Sequence, residues 1–197
     1  MVEKSRNRTK NRKPGIIMLI AQEKRKNNIA EYILYMWEIE DLIRANGFDI
    51  DKIDRNIISR FVQPKRIKKE IRSWYQGLIN MMIKEGLREK GHLRFIMEII
   101  KKINDLHLRL LNIPEQTQYN QKYLLAQPHI EEFKKKSKKL VDPDIEVCFI
   151  GLYFLLLMRL EGIEVNPDTQ TAFATFSQLL ANLAVIYKKV EEGKMDI

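Results

Sequence analysis

Asn166 to Lys189 reads NPDTQTAFATFSQLLANLAVIYKK, and this stretch decides the fold class. Asn166 precedes Pro167, the arrangement in which a side-chain oxygen caps a helix and proline occupies its first turn. Phe173, Phe176, Leu180, Leu183 and Tyr187 then follow three and four residues apart, so one helical face collects them as a packing seam for a neighbour. No strand-like alternation, hairpin dipeptide or repeat of solenoid period competes elsewhere in the chain. The chain is predicted to be all-α.

The same punctuation recurs upstream. Asp142-Pro143 repeats the cap-and-proline signal and opens a helix around Gly151 that is apolar on nearly every side, the mark of a helix central to a bundle or shared with a second chain. Its apolar run, Val147 to Met158, is well short of the ~20 residues that cross a bilayer. Pro114 ends a helix over Leu93 to Leu111, and Pro128 is expected to split or kink a helix over Gln116 to Lys139. Pro64, at a first-turn position, starts a long helix through Trp74, Leu78 and Met82 to about Glu89, with a break at Gly91. Ile50 to Phe61 reads as a short helix, and Gln22 to Ala45 as one helix stopped by Asn46-Gly47. Trp37 and Trp74, on the apolar stripes of two long helices, are expected to anchor the core.

The chain has 197 residues, enough to bury the core of one domain. We expect a single-domain helical bundle of about six or seven helices over residues 18–192, behind a disordered basic tail over 1–17. The tail carries six Lys or Arg against Glu3 alone and has almost nothing to bury. Removing it reduces the net charge of +9 to 29 Lys and Arg against 25 Asp and Glu, or +4. Met18 is positioned to serve as an alternative start.

The chemistry this composition offers is sparse. One cysteine, Cys148, excludes an intrachain disulfide, no secretory signal or finger spacing is present, and a reducing cytoplasm is expected. Cys148 lies in an apolar helix and reads as an inert core thiol. There is no phosphate-binding glycine loop, nucleophile elbow or His-Glu-x-x-His. The lysine run from Lys134 to Lys139, with Lys65 to Lys69, lacks interleaved aromatics, so it implies at most non-specific binding of nucleic acid.

Polar residues on apolar helix faces are the remaining candidates. Glu40 falls near the centre of the face formed by Ile29, Ile33, Met36, Trp37 and Ile43, with Arg44 one turn on. Glu85 and Glu89 continue the stripe of the Trp74 helix, and Glu89-Lys90-Gly91-His92 has the Glu-x-x-His spacing used in di-iron bundles. Asn104 and His107 share the face of Ile96, Ile100 and Ile103. A polar pocket fit for acid/base work or metal ligation is one reading. The simpler one is a set of structural pairs on two levels: Glu89 with His92 at one end of the bundle, Glu40 with Arg44 or His107 at the other. No second Glu-x-x-His completes a di-metal set, and no cofactor or small-molecule ligand is indicated.

The first helix, the Trp74-Tyr75 helix, Glu89-Lys90-Gly91-His92-Leu93, Asp105 to Leu111 and the leucine-rich Leu152 to Leu160 together resemble a bacterial family of domains of unknown function, number 4924. The resemblance covers about Met18 to Lys189. It implies a helical cytoplasmic bacterial protein and brings no activity, ligand or catalytic residue with it. Its beginning near Met18 adds weight to that residue as a start. The sequence thus points to a module that binds a protein partner or itself as a homodimer, without catalysis, a membrane span or specific nucleic-acid recognition. A metal or acid/base enzyme built on the Glu/His faces is the alternative.

A chain beginning at Met18 is expected to melt within a few degrees of the full chain, because the tail has little apolar surface to contribute. Differential scanning calorimetry checks this, and a large drop in Tm means that the tail docks.

Overall fold

The computed structural model describes residues 16–137 and 143–197. The tail before residue 16, Lys138-Lys139 of the lysine run and the Asp142 cap lie outside the described residues. Among those described, the chain forms eight α-helices, one 3-10 turn and no strand. They are α1 (Ile16–Asn27), α2 (Ile29–Ala45), α3 (Ile50–Asn56), the 3-10 turn Ile58–Arg60, α4 (Lys65–Lys84), α5 (Arg94–Leu111), α6 (Thr117–Lys136), α7 (Asp144–Leu160) and α8 (Pro167–Glu191). The architecture is a helical bundle. No helix among the described residues is long and apolar enough to cross a membrane.

α8 forms as its sequence dictates. The Asn166 side chain accepts from the Thr169 amide at 2.8 Å, Pro167 opens the helix, and all five seam residues are buried. Its seam lies against α6, α7 and α2. Gly151 of α7 makes the close approach possible, since a Cβ there would lie 2.8 Å from the Phe176 ring.

Several elements differ from the sequence reading. The single helix expected from Gln22 is divided at Asn28, which is extended (φ −153°, ψ 102°) and whose Oδ1 accepts from the Ala30 and Glu31 amides. Its side chain offers the backbone an alternative to continuing the helix. α4 stops at Lys84, not near Glu89: Gly86 takes φ 72°, and the Leu87 amide turns back to the Met82 carbonyl at 2.9 Å. Pro64 and Pro143 each stand one place before their helices. α6 runs through Pro128 unbroken; Pro128 and Leu124 are both exposed, so the carbonyl that loses its partner faces solvent.

The core contains Trp37, Tyr75, Tyr119, Phe149 and Phe176, all fully buried. Trp74 does not join them. α4 is turned so that Ile67, Ile71, Tyr75, Leu78 and Met82 face inward, and Trp74 is half-buried beside Tyr75 at a ring separation of 5.1 Å.

Trp37→Ala is expected to cost about 3 to 5 kcal/mol, the range for a fully buried aromatic. Trp74→Ala is expected to cost clearly less. Gly151→Ala is expected to lose about 1 to 3 kcal/mol by overpacking against Phe176. Urea denaturation of the three variants measures the order.

Candidate functional site

Glu40 is a carboxylate with no exposed surface, set among the apolar residues of α2. Burying it demands partners for both oxygens. Oε2 accepts from His92 Nδ1 at 2.7 Å, and Oε1 accepts from the Leu93 amide at 2.9 Å. A carboxylate only accepts, so the Nδ1 nitrogen carries the proton. The His92 ring stacks on Trp37, with centroids 4.1 Å apart and planes 17° from parallel. Beside it, Asp41 accepts from Tyr153 Oη and from Arg44, and Arg44 also donates to the Leu87 and Gly91 carbonyls. Burial raises the Glu146 carboxyl above its ordinary range, with His92 pulling it back. One more carboxylate, Glu85, accepts from the Arg94 amide at 2.8 Å. Two acidic side chains therefore meet the positive end of α5.

A second polar cluster ties α5, α6 and α7 together. His107 Nδ1 and the Tyr119 hydroxyl share a 2.6 Å hydrogen bond, and the Tyr123 ring lies 4.8 Å from the imidazole. Tyr123 donates to Asp144, which also holds Lys134 at 2.5 Å. Burial lowers the His107 pKa to about 4, against an opposing pull from Asp144. Burial pushes Asp144 up, but its bonds to Lys134 and Tyr123 outweigh that and leave it below the usual range. Cys148, fully buried nearby, has its thiol pushed far up by burial. Asn104 is buried one turn before His107, and its Oδ1 has no partner among the described residues.

The third feature is a cavity of about 650 Å³ between α6, α7 and α8. Phe133, Ile150, Phe154, Phe173 and Phe176 give it apolar walls, while Lys136 and Asp168 stand at its polar edge. It opens beside the partly exposed second half of α7. α7 buries Ile145, Val147, Cys148, Phe149, Gly151 and Tyr153, but no residue from Phe154 to Leu160. Phe154 is 50% and Leu160 72% exposed, and Ile163 just beyond is 47% exposed.

These positions rearrange the pairs expected from sequence. Glu89 is exposed in the turn after α4 and makes no pair with His92, because Gly86 has already ended the helix. His92 joins Glu40, Arg44 joins Asp41, and His107 joins Tyr119. The end of α2 thus meets the start of α5, opposite to the expected placement of Glu40 beside His107. Among the described residues, no three His, Cys, Asp or Glu side chains lie close enough together to hold a metal ion. The cavity went unread in the sequence, since three helices supply it. Its only signal was the wholly apolar character of α7 beside the aromatic seam of α8.

Residues 18–194 match the family described as Domain of unknown function (DUF4924). No curated protein and no solved structure gives a significant match.

Two outcomes follow from the buried clusters. Glu40→Gln is expected to lose about 1 to 3 kcal/mol in urea denaturation, because an amide cannot accept from both His92 and Leu93 as a carboxylate does. His107 binds its proton less readily folded than unfolded, so stability is complete above about pH 6.5 and declines on acidification toward pH 4. At about 1.4 kcal/mol per pKa unit the loss is on the order of 3 kcal/mol. His107→Asn is expected to flatten that part of a stability-versus-pH curve.

Proposed function

Because the chain belongs to the DUF4924 family, whose description carries no activity, its own surface has to supply the reading, and we propose that the protein works by association with protein, foremost with a second copy of itself. The observation that carries this is the unburied second half of α7. Seven residues, Phe154 to Leu160, include six apolar side chains and Arg159; Leu155, Leu156 and Leu157 pack only partly against the core, and Phe154 and Leu160 are exposed. A helix apolar on every side is stable in water only when something covers it. Each Å² of apolar surface withdrawn from water contributes about 25 cal/mol, and monomers rarely leave a contiguous patch of this kind open.

Self-association is the economical form of the reading, because one patch repeated about a two-fold axis covers both copies at once. The single cysteine, buried and with no disulfide, suits a reducing compartment, and we take the cytoplasm as the setting. Metal or acid/base chemistry receives less support: His92 and His107 already give their Nδ1 atoms to Glu40 and Tyr119 in structural pairs.

Light scattering behind size exclusion is expected to give a mass near twice the 23.4 kDa of the chain. Phe154→Glu combined with Leu160→Glu is expected to return it to a monomer with unchanged helicity. A wild-type protein that stays monomeric at every concentration sinks the self-association reading.

A further inference from the structure

The cavity and the uncovered helix belong to one surface. Ile150 and Phe154 wall the cavity, and Leu157 and Glu161 follow at spacings of three and four residues, so all four lie along one face of α7. Leu157 and Glu161 sit about 4.5 and 10.5 Å past Phe154 along the helix. This chain therefore carries an apolar recess and, one turn beyond it on the same helix face, the half-buried Leu157.

We infer that two copies pair about a two-fold axis near Phe154, each laying the Leu157 end of α7 into the α6–α8 cavity of the other, with Glu161 of one copy against Lys136 of its partner. The inference rests on the association reading and specifies its geometry. A two-fold axis across α7 sets the two helices antiparallel, so the part of the stripe that projects past one cavity arrives over the other. Phe133, half-buried in the cavity wall, then meets Leu157 in place of water.

Charge supplies a second contact: Lys136 is the one lysine or arginine among the described residues that line the cavity, alongside Glu132 and Asp168. Glu161 is exposed and has no ion pair among the described residues, although it ends an otherwise apolar stripe. Lys136 stands at the cavity edge with its side chain 76% exposed. Its present partner, Glu132, is a neighbour one turn away on the same helix, and so exposed a pair is worth little and is readily shared. The contact is self-complementary: each copy supplies one acid and one base, and two equivalent pairs close the dimer. A small apolar molecule in the cavity, or a different protein on the stripe, are the competing occupants.

Charge reversal in the full chain tests the pairing. Glu161→Lys alone, and Lys136→Glu alone, each place two like-charge pairs in the contact. Each is expected to weaken the dimer about tenfold or more in sedimentation equilibrium. Mixed in equal amounts, the two variants present opposite charges at both pairs and are expected to form a heterodimer of wild-type strength, which a small structural defect in either cannot produce. Circular dichroism and thermal melts establish that each variant is folded. If the wild type dimerises, the Phe154/Leu160 double variant dissociates, and neither reversal alters the dimer, the copies mate by another geometry and this inference is overturned while the association reading stands. Failure of the mixed variants to recover overturns it equally.

Discussion

A fully buried carboxylate governs how this bundle closes. Glu40 stands on a helix whose other inward residues are apolar, and a charge left there without partners destabilises a fold by several kcal/mol. Its partners come from 52 and 53 residues away, so the chain after α4 turns back onto α2 to supply them. Gly86 and Gly91, both at positive φ, give the segment that turn, and Arg44 holds its carbonyls. With the start of α5 fixed against the end of α2, Ile96, Ile100 and Ile103 are delivered to the interior, and His107 reaches Tyr119 of α6. The Glu40 contact is thus less a site of chemistry than the condition under which the remaining helices find their places.

α7 shows the opposite economy. Its first half is spent on the fold, where Gly151 admits Phe173 and Phe176 and Phe149 turns its edge to Trp37. Its second half has the same apolar character, but Leu155, Leu156 and Leu157 pack only partly against the core, and Phe154 and Leu160 are exposed. Since the helix is continuous, rigidity gained from burial at one end is transmitted to the exposed end, which is presented to a partner already ordered. Association then avoids most of the ordering cost that a disordered segment meets on binding.

What could be read without coordinates follows the range of the forces concerned. Local chemistry was legible: Asn166-Pro167 starts α8, the chain is broken before Leu93 with Gly91 at positive φ, and the seam from Phe173 to Tyr187 is buried throughout. Where two local signals competed, periodicity misled. Asn28 interrupts an apolar pattern that continues across it, and Tyr75 takes the inward place that the larger ring of Trp74 suggested for itself. Long-range pairing was not legible at all. A face can be assigned to Glu40 and to His92 separately, but nothing in the spacing of either says that a loop, not a neighbouring turn, will complete the carboxylate. The cavity is further still from sequence, because it is the space left by three helices whose individual patterns are ordinary.

Cys148 turns this division of α7 into something that can be timed. It is the chain's one sulfhydryl, it lies three residues before Gly151 on the buried half of the helix, and it has no exposed surface. A reagent in solution meets that sulfur only while the packing around the buried half of α7 has come apart. The rate at which it is modified therefore counts the openings of the interior helix layer, atom by atom and without any introduced label, and anything that clasps the free end of the same helix slows that clock.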